Sequence, residues 1–218
     1  MKSEINQQSA IDSGTVLVLG GTGKTGRRIV RHLKDHAIPV RIGSRSASIP
    51  FDWNNDATWD ANLQGIHAVY ISYTPDLAIP GAVDSISAFV DKAKRAGVKK
   101  LVLLSGRGEA EAQACEKIVL GSGIAATVVR ASWFNQNFSE GAFFSMVESG
   151  QITLPVGEVR EPFVDVDDIA EVAFVALTQD GHDGEIYEVT GPRLMSFDDI
   201  ASELSDATGR PIQYVQIR

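Results

Sequence analysis

Short apolar runs alternate with amphipathic stretches along most of this chain of 218 residues. The first run, Thr15-Val16-Leu17-Val18-Leu19, is unbroken and β-rich, the pattern of a strand covered on both faces of a parallel sheet. Residues 23–34 take helical spacing, with Ile29, Val30 and Leu33 on one face. Val40-Arg41-Ile42 follows Pro39 as a second strand, a short third strand ends near Phe51, and residues 58–63 read as a brief helix. Ala68-Val69-Tyr70-Ile71 is the fourth strand. Residues 79–96 form a helix that turns Val83, Ile86, Phe89, Val90 and Ala93 inward and closes on Gly97. Residues 100–104 make the fifth strand, 109–120 a helix closed by Gly121 or Gly123, and 126–130 the sixth strand. Strand and helix alternate throughout, which predicts an α/β fold: a Rossmann-type, doubly wound parallel sheet with helices on both faces.

Beyond Ala131 the rhythm changes. A helix near 136–148, a short strand around Phe163, a helix over 168–177, a strand over 185–189, a helix over 197–207 and an edge strand over 212–215 are expected. Asp168 and Glu171 have the spacing of an acidic capping box for the 168–177 helix. The division that follows is a polar, disordered tail over 1–13, a dinucleotide-binding core over 14–131, and a smaller substrate-side lobe over 132–218 packed on the same sheet.

Composition narrows the function classes. Twenty-eight acidic against 20 basic side chains give a formal charge of -8, a surface that repels phosphate backbones and argues against direct nucleic-acid binding. The basic cluster Lys92, Lys94, Arg95, Lys99 and Lys100 sits at a helix end, where cations offset the macrodipole. The single cysteine, Cys115, excludes an internal disulfide and a multi-thiolate metal site. No apolar stretch approaches the roughly 20 residues of a membrane span, and the first residues lack the apolar core of a secretory signal. A soluble protein of a reducing cytoplasm is expected, with no metal: His32 and His36 have helical spacing but no third ligand.

Candidate chemistry begins between the first strand and the first helix, at Gly20-Gly21-Thr22-Gly23-Lys24-Thr25-Gly26. Glycines at 20, 23 and 26 allow a turn off the strand, close approach of backbone to a pyrophosphate, and tight packing of helix on strand. Unpaired N–H groups at the helix start face the anion. Gly23-Lys24-Thr25 imitates a triphosphate loop, but Val18 occupies the position where that motif needs its first glycine. The second strand ends in Gly43-Ser44-Arg45-Ser46, where an NAD-selective site would place a carboxylate on the ribose 2′-hydroxyl. Two hydroxyls and a guanidinium suit a 2′-phosphate instead, so NADP(H) is favoured over NAD(H). Asp52 stands where it would meet the adenine amino group or cap a turn.

Four segments in order, Gly20 to Gly26, Leu104-Ser105-Gly106, Val129 to Phe138 and Pro162 to Ala170, resemble the NmrA-like branch of the atypical short-chain dehydrogenases/reductases. Gly43 to Ser46 and Phe51-Asp52-Trp53 look most like its agroclavine/festuclavine dehydrogenase subgroup. The resemblance runs from about Thr15 to Val215. It implies that Tyr73 and Thr74 border the cofactor, that Ser105 and Gly106 lie by the nicotinamide ribose, and that Trp133, Phe134 and Asn137 line the ring or substrate pocket. Core packing is the alternative role for Trp133 and Phe134. Members of that family commonly continue through a further C-terminal helical segment.

A conventional short-chain dehydrogenase uses a tyrosine with a lysine four positions later to protonate its substrate. Here Tyr70, Tyr73, Tyr187 and Tyr214 are followed at that spacing by Thr74, Leu77, Gly191 and Arg218. A nucleophile elbow at Ser105 fails too, since Leu103 replaces the required glycine. Two readings follow. The first is an NADPH-dependent reductase that passes hydride to a small conjugated or cationic acceptor (quinone, azo or iminium), with Tyr73, Ser105 and Trp133 nearest the reacting face. The alternative is a non-catalytic NADP(H)-binding redox sensor that signals to a protein partner.

Overall fold

Alternation within β1 (Thr15–Leu19) sets the layers: Val16 and Val18 turn to one face, Leu17 and Leu19 to the other, and all four are buried. The computed structural model describes residues 14–217, so the expected tail over residues 1–13 lies outside the described residues. The chain continues through α1 (Lys24–Asp35), β2 (Val40–Gly43), α2 (Trp59–Leu63), β3 (Ile66–Ile71), α3 (Ala82–Arg95), β4 (Lys100–Gly106), α4 (Ala110–Leu120) and β5 (Ala125–Ala131). It closes with α5 (Phe144–Ser149), β6 (Gln151–Leu154), α6 (Val166–Thr178), β7 (Ile186–Val189), α7 (Phe197–Thr208) and β8 (Gln213–Gln216).

Six strands form one parallel sheet in the order β2-β1-β3-β4-β5-β7. On one face α1 and α6 bury Ile29, Val30, Leu33, Ile169, Ala170 and Ala173 against Val16, Val18, Tyr70 and Val129. On the other, α2, α3 and α4 cover Leu17, Leu19, Val69, Leu101 and Val128. The doubly wound parallel sheet is the architecture that the alternation predicts. Gly97, with φ +81°, closes α3 as its C′ residue: its amide donates to Lys94 O and that of Val98 to Ala93 O. The basic end of α3 is used within the fold, with Lys92 on Asp60 at 2.7 Å and Lys94 on the Ser122 carbonyl at 2.8 Å. No helix among the described residues is long and apolar enough to cross a membrane.

Several elements differ from the sequence expectation, each for a local reason. The third strand before Phe51 does not form. Asp52 Oδ1 accepts from Asn54 N–H and Asn55 Oδ1 from Ala57 N–H, and these Asx turns divert the chain from the sheet. Phe51, Trp53 and Trp59 instead pack on one another and on Phe89 of α3. The expected helix over 136–148 is broken into a 3₁₀ turn, Asn135–Asn137, and the short α5, with Ser139 and Gly141, poor helix formers, between them. The strand around Phe163 is reduced to isolated bridges, Phe134 with Val164 and Glu161 with Met195, because Pro162 has no N–H for a ladder. β6 was not anticipated, and β8, expected at an edge, pairs with β6 in a separate two-stranded sheet that shares a core with Phe138, Phe163 and Phe197. The helix expected from Asp168 starts at Val166. Its N-cap is Asp165, whose Oδ1 accepts from Asp167 N–H and from Gln136 Nε2, so the Asp168–Glu171 box is not the cap.

The segment between the 3₁₀ turn and α5 is tied back to the first helix by charge. Arg28, on α1, donates to both oxygens of Glu140 at 3.0 and 3.2 Å, and its Nε lies 3.0 Å from Asp167 Oδ1. Arg27 adds a second contact to Glu140, and Arg31 reaches Asp167 at 2.8 Å. Arg28's hydrogen bond, with burial opposing it and the charges of Arg28 and Arg27 assisting, holds the Glu140 carboxyl below the ordinary carboxylate range. A folded value below the unfolded one gives stability that is complete above the unfolded pKa and fades as pH falls through the lowered one. Arg28→Ala is therefore expected to cost about 1–2 kcal/mol at neutral pH, a figure already discounted for the solvent screening of these carboxylates. Urea titrations of both proteins should show the gap narrowing under acidic conditions; a pH-independent gap would mean that packing, not charge, is lost.

Candidate active site

The strand order places a crevice. From β1 the chain steps to β2 on one side and next returns as β3 on the other, so the loops that leave the C-terminal ends of β1 and β3 diverge. In open parallel sheets such a switch point is where ligands sit. A cleft of about 530 Å³ opens there, lined by Gly20, Gly23, Lys24 and Thr25 at one end and by Tyr73, Thr74, Ser105, Gly106, Trp133, Phe134 and Asn137 at the other. Residues expected at both ends of a dinucleotide site thus share one cavity.

The glycine loop is built for a backbone–anion contact. Gly20 adopts φ +65°, which a side chain resists, and its carbonyl accepts from Gly23 N–H at 2.8 Å. A Cβ on Gly26 would collide with that same carbonyl, so only glycine lets α1 start this close to β1. The N-cap residue, Gly23, supplies no side-chain cap, and the first amides of α1 are left pointing into the crevice with the positive end of the helix dipole. The donor set fits a pyrophosphate. Thr22 stands in the same turn, and Lys24 Nζ reaches across to the far wall, 2.7 Å from where a Cβ on Gly141 would lie.

Ser44, Arg45 and Ser46 lie outside this cleft, beyond the next strand. Leu19 and Gly43 are paired in register, and Gly20 N–H donates to Gly43 O at 2.9 Å, so the turn after β2 is fixed beside the glycine loop. Arg45 and Ser46 are exposed, Ser44 Oγ lies 3.4 Å from Ser46 Oγ, and among the described residues Arg45 forms no ion pair. Asp52 is also outside the cleft: its carbonyl accepts from Trp59 Nε1 and its Oδ1 serves the Asx turn.

At the opposite end Tyr73 packs against Trp53 with ring centroids 4.8 Å apart and the rings tilted by 52°, and its hydroxyl lies 3.4 Å from Ser85 Oγ. Trp133 is 41% exposed, stacked on Phe143 and edge-on to Phe163 and Phe197. It forms a cleft wall and is not a core residue. Phe134 is half-buried against the core on the α1–α6 side, so it joins wall to core.

Three comparisons bear on identity. No family model matches the chain. An NAD(P)H azoreductase of Xenophilus azovorans is 34% identical over 223 residues, covering 93% of this chain and 77% of that protein. A festuclavine dehydrogenase of Aspergillus fumigatus is 33% identical over 222 residues, again covering 93% and 77%. The chain belongs to the NmrA-like atypical short-chain dehydrogenase/reductase family. Among solved structures, the Citrobacter sp. triphenylmethane reductase complexed with NADP(H) superposes with a TM-score of 0.74 at 20% identity, over 93% of this chain and 79% of that one, a likeness of fold.

Within this NmrA-like scaffold two supports of the site were missed by sequence reasoning. Tyr70, fully buried on β3, donates to Thr25 Oγ1 at 3.0 Å and so props the first turn of α1 from below; burial pushes its phenol well above the ordinary range. The second is a ladder of polar residues on adjacent strands. Ser105, Arg130 and Glu188 are register partners on β4, β5 and β7, and Glu116 of α4, 3% exposed, closes over them. Glu116 accepts from Ser105 Oγ at 2.6 Å and from Arg130 at 2.5 and 3.0 Å, while Arg130 also reaches Glu188 at 2.8 Å. Hydrogen bonds to Glu116 first and Glu188 second hold the guanidinium above its already high range. Ser105 therefore meets the cleft with its hydroxyl hydrogen committed behind it. The signal was legible: Glu116 falls on the inward stripe of its helix, with Ala112, Cys115 and Val119. Cys115 itself is buried, and burial pushes its thiol up to about 11, the behaviour of an inert core thiol.

Breaking the ladder should separate its members. Glu116→Ala leaves Arg130 half-paired under the sheet and is expected to cost about 3–5 kcal/mol, whereas Ser105→Ala should cost about 1 kcal/mol. Denaturant titration distinguishes them, and equal losses would show that the carboxylate does not anchor the ladder.

Proposed function

We propose that this chain is an NADPH-dependent reductase that delivers hydride to a small conjugated or cationic acceptor of the quinone, azo or iminium type, without a Tyr-x-x-x-Lys acid. The observation that carries the reading is the one crevice that joins a helix N-terminus with no side-chain cap to an aromatic-walled pocket. The azoreductase and festuclavine dehydrogenase among its relatives support the reaction type.

In this reading residues 14–131 hold the cofactor and residues 132–218 cover the acceptor. Gly20, Thr22, Gly23, Lys24, Thr25 and Gly26 seat the pyrophosphate, and Ser44, Arg45 and Ser46 take the 2′-phosphate, with no carboxylate at 44–46 to favour NAD(H). Asp52 meets the adenine with the oxygen that its Asx turn leaves over. Tyr73, Thr74, Ser105 and Gly106 flank the nicotinamide riboside; Trp133, Phe134 and Asn137 hold the acceptor. Tyr73, Ser105 and Trp133 are the groups nearest the reacting face. A bound reduced nicotinamide supplies the two electrons and the hydrogen. The protein's task is then orientation and exclusion of water, which the two aromatic walls perform by fixing a flat acceptor between them. A reducing cytoplasm suits a chain whose one cysteine is buried, and a small molecule, not a nucleic acid, is the partner that a net acidic surface and this cleft accept.

Two measurements test this. Calorimetry should find that Arg45→Ala weakens NADPH by about ten- to a hundredfold, the value of a charge-assisted phosphate contact, and NADH hardly at all. Equal losses for both cofactors would refute the phosphate assignment. Mixing the protein with NADPH and a panel of quinones, azo dyes and iminium compounds should deplete the reduced-nicotinamide absorbance. Tight NADPH binding with no oxidation across the panel would return the redox-sensor reading.

A further inference from the structure

The reductase reading leaves one reagent without a source. An azo compound or a quinone that accepts hydride must also take up a proton, and the Tyr–Lys pair that usually supplies it is missing. One carboxyl group in the cleft is unused by the fold. Glu109 occupies the N-cap position of α4, yet its side chain makes no capping hydrogen bond, and among the described residues it has no hydrogen-bond or ion-pair partner. It folds back over the end of β4: a Cβ on Gly106 would come within 2.7 Å of Glu109 Cδ. Gly106 and Glu109 line the same cleft as Tyr73 and Trp133.

The charges around it act in one direction. Burial first, then Asp76 from the loop after β3, then Glu111 in the first turn of α4, all raise the Glu109 carboxyl above the ordinary carboxylate range. Arg107 and Lys24 line the cleft as well, but neither pairs with Glu109. Asp76 is engaged elsewhere, its Oδ1 accepting from Ala78 N–H at 2.8 Å.

We propose that Glu109 is the proton donor of this reductase, the group that replaces the tyrosine of its conventional relatives; the assignment rests on the reductase reading. For an azo acceptor, the N=N π bond breaks as hydride forms an N–H bond at one nitrogen. The electron pair released takes the Glu109 proton at the other. A hydrazine, an oxidised nicotinamide and the Glu109 carboxylate result, and solvent at the half-open cleft returns the proton. A triarylmethyl cation needs hydride alone and bypasses the step.

The test compares full-length wild type, Glu109→Gln, Glu109→Asp and Glu111→Gln in single turnovers between about pH 5 and 9. With an azo dye the wild-type rate should fall about tenfold per pH unit above the Glu109 midpoint, and Glu109→Gln should lose about a hundredfold and flatten the profile. Glu109→Asp should restore part of the rate, and Glu111→Gln should move the midpoint to lower pH. The loss for the azo dye should exceed that for a triarylmethane dye by at least about tenfold. A carbon-13 titration of the glutamate carboxyls reads the same midpoint without turnover, and NADPH fluorescence checks that the Gln variant still binds cofactor. If wild type turns over and Glu109→Gln keeps its rate and pH profile, the proton-donor assignment falls while the reductase reading stands. If NADPH binds and no acceptor oxidises it, both fall.

Discussion

The Gly20 carbonyl accepts the Gly23 amide and occupies the space that a side chain at position 26 would need. That one close approach lets α1 begin a single tight turn, Gly20 to Gly23, after β1 ends, with an N-cap glycine that has no side chain to occupy the first amides. Everything ligand-facing in the molecule follows from it. The helix dipole and the free amides converge on the crevice because there is no room for them to point elsewhere. Tyr70 then fixes the position of Thr25 from β3, so the two strands that flank the switch point are also the two that locate the anion site. A larger residue at 26 would push α1 outward and separate that site from its prop in the same movement.

The first helix has a second task at its other surface. Arg27, Arg28 and Arg31 occupy its outward side and hold Glu140 and Asp167, so the wall that carries Asn137 and Trp133 hangs from the same helix whose N-terminus faces the anion site. Cofactor end and acceptor end are thereby registered through one rigid element. Lys24, at the start of that helix, spans the two. The aromatic block of Phe51, Trp53, Trp59 and Phe89 does the corresponding work for the opposite wall, where Tyr73 rests on Trp53 and Trp53 Nε1 donates to the Ser72 carbonyl.

How much of this was legible in the chain depends on the range of the interaction. The parallel sheet, its helices and the glycine loop rest on local periodicity and spacing, and these appear in the structure close to where they were expected. The failures are places where local chemistry or distant partners prevailed. Asx turns at 52–57 removed a strand that apolar pattern alone suggested, and Pro162 removed another. β6 and β8 escaped or were misplaced because each finds its pair across some sixty residues, which no pattern within either segment announces. In the cleft, Tyr73, Ser105 and Trp133 were named through the family resemblance, but Glu116 was not, since its meaning lies in Arg130 and Ser105 on neighbouring strands. A charged residue on the inward stripe of a helix should be matched to the opposite charge on the strands it covers.

Of the three glutamates on α4 and its N-cap, Glu109 and Glu116 lie two turns apart, and the fold treats them in opposite ways. Glu116 is engaged by Arg130 and by the Ser105 hydroxyl, so its oxygens serve the architecture beneath the cleft. Glu109, at the N-cap of the same helix, is raised by burial and by the like charges of Asp76 and Glu111, and among the described residues neither Arg107 nor Lys24, which line the same cleft, pairs with it. Sites that do acid–base chemistry near neutrality commonly separate their carboxyl groups by environment in this way, one fixed and one adjustable. Moving the burden of proton transfer from a tyrosine on a helix to a carboxyl at a helix start requires no lysine nearby, because what the carboxyl needs is the absence of positive charge. Arg27, Arg28 and Arg31 are engaged in clasping α1 and Arg130 in locking β5, and among the described residues no cation forms an ion pair with the carboxyl at the cleft.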